Sequence, residues 1–168
     1  MKKSLFVSLL LLVAGIAQAE TTVTLEGVHN CCKSCTNGIV KAGTSVKDVT
    51  VTAEGETVTI VSKSKANAKK AVEAILEAGY YGKSSEETAA SAAASPKMGK
   101  KLTEAKVTGA HLCCQKCVNA MTEAVKSVPG VKEYTIENKA DTFTVKGEFT
   151  EADLIASMNK AGFHGTVK

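Results

Sequence analysis

The chain has 168 residues, a formal net charge of +4 and 44% hydrophobic residues, which allows one domain or two small ones. Its 21 basic residues are all Lys, Trp is absent, and aromatics make up 4%. Nucleic-acid readers lean on Arg for bidentate contacts and on aromatics for base stacking, so no nucleic-acid partner is expected and the lysines read as solvated surface.

The first 19 residues have the pattern of a signal peptide. Lys2 and Lys3 are followed by an apolar run from Leu5 to Ile16 and by Ala17-Gln18-Ala19, a small-x-small cleavage pattern. The run is too short to span a bilayer, and no second apolar span follows, so no membrane span is expected after cleavage. The expectation is an exported protein, periplasmic or secreted, that starts at Glu20 with a net charge of about +2.

The remainder is written twice. Val23, Leu25 and Val28 predict a strand, and a helix is expected from Cys35 to Ala42, ended by Gly43. Alternation over Val46–Thr52 and Thr57–Ser62 predicts a hairpin turning at residues 53–56. A second helix follows over Ala66–Ala78, stopped by Gly79, and then a short last strand. Residues 84–102, rich in Ala and Ser, read as a linker. The second copy repeats the order: Val107 and Ala110 in a strand, a helix Cys117–Val128 stopped by Pro129-Gly130, a hairpin turning at 138–141, and a helix Thr150–Ala161 ended by Gly162. Thr150-Glu151-Ala152-Asp153 resembles a capping box. Residues 45–60 align on 130–145 without a gap, and Ala78-Gly79-Tyr80 matches Ala161-Gly162-Phe163. The fold class is α+β: two tandem ferredoxin-like βαββαβ units, residues 20–83 and 103–168.

The chemistry sits in the strand-to-helix loops. Gly27-Val28-His29-Asn30-Cys31-Cys32-Lys33-Ser34-Cys35 and Gly109-Ala110-His111-Leu112-Cys113-Cys114-Gln115-Lys116-Cys117 both read G-x-H-x-C-C-x-x-C and hold all six cysteines. Thiolate and imidazole suit copper(I), zinc and related soft or borderline ions, one per repeat in the simplest arrangement. A C-x-x-C on the first turn of a helix meets the positive end of the helix dipole, which predicts lowered pKa values for Cys32 and Cys114, and for Cys35 and Cys117 less firmly. Three cysteines per repeat cannot close as disulfides within a repeat without leaving one thiol over, although a bridge between repeats would absorb the leftover thiols.

These features resemble tandem heavy-metal-associated (HMA) domains, the modules of copper chaperones, P-type metal pumps and periplasmic mercury-binding proteins. The resemblance covers residues 23–83 and 105–168, and by the family's G-M-x-C-x-x-C loop it places metal ligands on Cys32, Cys35, Cys114 and Cys117. The family's Met position holds Asn30 in copy one and Leu112 in copy two. Cys31 and Cys113 add a third thiol beside each pair, which favours zinc or three-coordinate copper(I) if they ligate. His29 and His111 are further candidates, weighed against ending the strand, because neighbouring strand positions point to opposite faces. His164 follows Phe163 where some family members place a residue over the metal, and copy one has Tyr81 there, so the two sites are expected to differ.

The leading expectation is an exported scavenger, buffer or chaperone for a soft ion of the copper(I), zinc or mercury class, with a metal transporter or acceptor protein as its partner. The rival is a thiol–disulfide protein using its C-x-x-C pairs. A third reading is an interaction protein whose cysteines close into disulfides after export. No phosphate loop or Ser–His–Asp set is present, so no enzyme activity is expected.

Overall fold

The computed structural model describes residues 20–86 and 99–168. The expected signal peptide and most of the expected linker lie outside the described residues. In the first unit the order is β1 (Thr21–Glu26), α1 (Lys33–Gly43), β2 (Val49–Glu54), β3 (Thr57–Ser62), α2 (Lys65–Glu77) and β4 (Lys83–Ser84). The second runs β5 (Lys101–Thr108), α3 (Gln115–Lys126), β6 (Val131–Tyr134), β7 (Thr142–Thr150), α4 (Glu151–Lys160) and β8 (Thr166–Val167). Each unit forms one antiparallel sheet, ordered β2-β3-β1-β4 and β6-β7-β5-β8. This is the βαββαβ arrangement expected.

Alternation decides which sheet face is covered. Val23 and Leu25 of β1 and Val58 and Ile60 of β3 are buried, and their neighbours in sequence are less so. The covering helices bury stripes at helical spacing: Cys35 and Ile39 on α1, and Ala68, Ala71, Val72 and Ile75 on α2. In the second unit Ala105, Val107, Phe143 and Val145 meet Met121 and Val125 of α3 and Leu154 and Met158 of α4.

Three boundaries differ from expectation for physical reasons. The strand after α1 starts at Val49 rather than Val46, because Asp48 takes a positive φ of 59° and makes the chain turn. Gly43 is the last residue of α1 rather than its stop, and Thr44 caps the helix. A Cβ on Gly43 would stand 2.6 Å from Val51 Cγ2, so the glycine serves the approach of β2. The second unit's sheet begins at Lys101, inside the expected linker, since Lys101 and Leu102 pair with Thr150 and Phe149.

The units meet reciprocally, each laying its Ala-Gly-aromatic corner on the other's cysteine loop. His29 N–H donates to Gly162 O at 3.2 Å, as does Tyr81 N–H at 3.0 Å, and His164 N–H donates to Gly79 O at 3.0 Å. Tyr80 and Phe163 form an antiparallel bridge. Tyr80 stacks on His111, and His29 on Phe163, each at a centroid separation of 4.4 Å. Both corner glycines have positive φ, 89° at Gly79 and 82° at Gly162. A Cβ on either would collide with backbone of the other unit: Gly109 O and His111 N at Gly79, Gly27 O and His29 N at Gly162.

Candidate metal centre

In each unit a glycine with positive φ, Gly27 (76°) or Gly109 (81°), ends the first strand and turns the chain into the cysteine loop. The hairpin on the sheet's other side ties the loop down: Val28 N–H donates to Glu56 O at 2.9 Å, and Gly109 N–H to Asp141 O at 3.1 Å. Cys32 and Cys114 are the N-caps of α1 and α3, with extended backbone, and their carbonyls accept from Thr36 N–H and Val118 N–H. Cys35 and Cys117 then fall on the first helical turn and are buried.

The position where the family carries Met is filled differently in the two units. Leu112 is buried, and its carbonyl accepts from Lys139 N–H at 2.7 Å. Asn30 instead accepts a 2.8 Å hydrogen bond from the Thr36 hydroxyl, bracing the loop against its own helix.

The two loops bring all six cysteines into one cluster. Within the first unit Sγ–Sγ separations are 3.8 Å for Cys31–Cys35 and 3.6 Å for Cys32–Cys35. In the second, Cys113–Cys117 and Cys114–Cys117 are both at 3.7 Å. Across the units, Cys31 stands 3.7 Å from both Cys114 and Cys117, and Cys35 stands 3.6 Å from Cys113 and 3.8 Å from Cys117. Cys32 and Cys113 are 3.9 Å apart. A disulfide needs about 2.05 Å, so these are free thiols. A metal with bonds to sulfur of about 2.3 Å holds its sulfurs about 3.8 Å apart in a tetrahedral site and about 4.0 Å apart in a planar trigonal one. The spacing fits either.

The six thiols have different acidities. Backbone N–H of Cys35 lowers the Cys32 pKa, and that of Cys117 lowers Cys114 to about 6. Burial raises Cys31 and Cys35, and it pushes Cys113 up to about 12. Burial, then the charge of Cys35, raises Cys117 as well. The lowering expected at Cys35 and Cys117 is therefore overturned: both lie beyond the N-caps and inside the core, where desolvation outweighs the helix dipole.

Ligand atoms close enough to share an ion group as Cys31-Cys32-Cys35, Cys32-Cys113-Cys114, Cys35-Cys113-Cys117 and His29-Cys31-Cys117. His111 and His164 belong to no such group among the described residues. His111 packs under Tyr80 instead, and His164 uses its backbone N–H to join the units. Burial lowers the pKa of all three histidines, which favours the neutral ring. Sequence reasoning did not assign Tyr80, Phe163, Gly79 and Gly162 to the site's architecture. The duplicated Ala-Gly-aromatic corner was the available signal.

Residues 110–164 match the family model of the heavy-metal-associated domain. The chain carries a heavy-metal-associated domain. The match lies wholly in the second unit, and heavy-metal binding is the function this domain supports. No curated protein matches the sequence. Among solved structures, the N-terminal soluble domains of Bacillus subtilis CopA are similar at 16% identity, covering 91% of this chain and 97% of that one, with a TM-score of 0.32. A structure of the water-soluble region of the P-type ATPase CopA from Bacillus subtilis is similar at 15% identity, covering 91% and 94%, with a TM-score of 0.30.

Proposed function

We propose that this is an exported soft-metal-binding protein, a scavenger, buffer or chaperone that carries copper(I) in preference to zinc and passes it by ligand exchange to a transporter or acceptor protein. The observation that carries the reading is the convergence of six free thiols in one cluster, with contacting sulfurs 3.6 to 3.9 Å apart. Thiolates select copper(I) over hard ions, and binding needs no more than proton release from the thiols. On this reading the first unit is a heavy-metal-associated domain like the second, since it has the same strand order and cysteine spacing. The protein binds and releases metal without acting as an enzyme. A hollow of about 340 Å³ bordered by Cys113, Leu112 and Lys139 gives an incoming ligand one approach to the cluster. Export rests on the sequence of residues 1–19, and N-terminal sequencing of the mature protein should begin at Glu20.

Replacing Cys32, Cys35, Cys114 and Cys117 by Ser should abolish tight copper(I) binding measured anaerobically against a competing chelator; unchanged affinity would sink the proposal. The thiol–disulfide alternative is favoured by one observation, the low pKa of Cys114 beside Cys117 at 3.7 Å. A free-thiol count with and without metal separates the two. Metal that protects the thiols without loss of sulfhydryl favours binding, and disulfide turnover with added thiols favours exchange.

A further inference from the structure

The soft-metal reading leaves open how many ions the six thiols hold, and the pattern of contacts answers it. Four triads can be drawn: Cys31-Cys32-Cys35, Cys32-Cys113-Cys114, Cys35-Cys113-Cys117, and Cys31-Cys114-Cys117, whose three edges are each 3.7 Å. Each sulfur belongs to two of the four. The pairs that share no triad, Cys31–Cys113, Cys32–Cys117 and Cys35–Cys114, are then opposite corners of an octahedron, and the triads are alternate faces of it. An ion on each of those faces would be trigonal, and every thiolate would bridge two ions.

Charge selects the ion. Six thiolates around four monovalent ions leave a net charge of about −2, facing the positive ends of α1 and α3, each worth roughly +0.5. Four divalent ions would reverse that sign to about +2 against the same helix termini, and zinc prefers four ligands to three. We propose that the two units close on a single polynuclear thiolate cluster of four copper(I) ions, rather than each unit binding its own ion. This rests on the soft-metal reading and adds stoichiometry and sharing between units to it. Each thiol that enters gives its proton to solvent and gains two sulfur–copper bonds, and copper enters and stays in the +1 state, so no oxidant or reductant is needed. Cys31 and Cys113 thereby become the keystones: every triad contains one or the other.

The test loads the intact, reduced chain with copper(I) from a chelator under anaerobic conditions. Loading is counted by metal analysis and native mass spectrometry, and X-ray absorption reports metal–metal scattering. The expected result is four ions per chain with a short copper–copper shell. Cys31→Ser/Cys113→Ser breaks all four triads and leaves both C-x-x-C pairs, so loading should fall twofold, to two ions, and the copper–copper shell should vanish. Should that variant not fold by circular dichroism, Cys31→Ser replaces it; it keeps the two triads built on Cys113 and should also load two ions. Two ions in the wild-type chain with no copper–copper shell, unchanged by Cys31→Ser/Cys113→Ser, would overturn the cluster and leave the soft-metal reading standing. Absence of tight copper(I) binding by the wild-type chain would overturn both.

Discussion

The two units share a strand order and a cysteine motif, yet they bear on the cluster differently. Unit one sets Tyr80 at its corner, and unit two sets Phe163. The extra oxygen of Tyr80 is buried without a hydrogen-bond partner, and Gly38 of α1 leaves the space for it. The position aligned with Gly38, three residues after the motif's last cysteine, is Ala120 in unit two. The hairpins differ too. Unit one turns tightly at Gly55-Glu56, while unit two has a longer connection whose Lys139, at a φ of 61°, reaches back to the Leu112 carbonyl. Duplication kept the parts that meet at the twofold-like contact and let the supporting side chains diverge in compensated sets.

The largest effect is expected where the comparison finds sameness. Gly79→Ala or Gly162→Ala places a methyl group into the other unit's backbone and strains a left-handed residue, which alone costs roughly 1–2 kcal/mol. Either variant should part the units, seen as an increased radius of gyration by small-angle scattering. Gly55→Ala supplies the contrast: its φ is 54°, but nothing lies within 4 Å of the added Cβ. It should lower the melting temperature and leave the radius of gyration unchanged. Equal scattering curves for all three variants would mean that the reciprocal corners do not hold the units together.

Next in size is the compensated pair. A methyl group at Gly38 would overlap the Tyr80 hydroxyl, and overpacking of this kind costs about 1–3 kcal/mol. Tyr80→Phe removes both the obstruction and an unpartnered buried hydroxyl, so it should be neutral or stabilising by itself. Gly38→Ala/Tyr80→Phe should therefore recover the stability lost in Gly38→Ala, and denaturant unfolding of the four combinations measures the coupling. Additive losses would show that the two positions are independent.

Much of this is legible in the sequence. The 2.0 and 3.6 periodicities, read with Gly79 and Gly162 as stops, place the strands and helices of both units, because burial on one face is a local property of the pattern. The loop-to-helix position of Cys32 and Cys114 was equally readable, since an N-cap is a local event. The meeting of Cys31 with Cys114 and Cys117 was not. A tandem repeat encodes each unit's fold and says nothing of how one unit sits on the other. The case of Cys35 and Cys117 is similar: the helix dipole is visible in sequence, whereas the burial that outweighs it depends on how the buried stripes of α1 and α3 pack in the core. Gly43 reads as a helix stop because a glycine demanded by packing against Val51 looks the same in sequence as one demanded by a turn.

A smaller effect concerns thiol chemistry in the metal-free, reduced protein. Cys114 titrates at about 6, lowered chiefly by the Cys117 backbone N–H, while burial holds Cys113 at about 12. The thiolate is the nucleophile, so alkylation of Cys114 should be at its plateau at pH 7 and fall by half near pH 6 as the proton returns. Cys113, Cys35 and Cys117 should stay unreactive up to pH 8. Site-resolved mass spectrometry after brief iodoacetamide treatment checks this, and a Cys114 profile with its midpoint near an ordinary thiol value would remove the helix-terminus argument.

The smallest expected effect compares the caps of α2 and α4. Ser64 Oγ accepts from Asn67 N–H at 3.4 Å, a long bond. Thr150 Oγ1 accepts from Asp153 N–H at 3.0 Å and donates to the Asp153 carboxylate at 2.6 Å, so Asp153 answers the threonine's side chain rather than its backbone N–H as a full capping box would. Asp153 and Glu151 also put negative charge on the first turn of α4, where the helix dipole favours it, while the first turn of α2 has none. Removing a cap costs about 1 kcal/mol on average. Thr150→Ala should reach or exceed that figure, because it removes two hydrogen bonds, one of them charge-assisted, and Ser64→Ala should fall below it. Thermal unfolding of each variant measures the difference. A larger loss at Ser64 than at Thr150 would mean that bond length and first-turn charge do not rank these caps, and that the packing of each helix on its sheet decides instead.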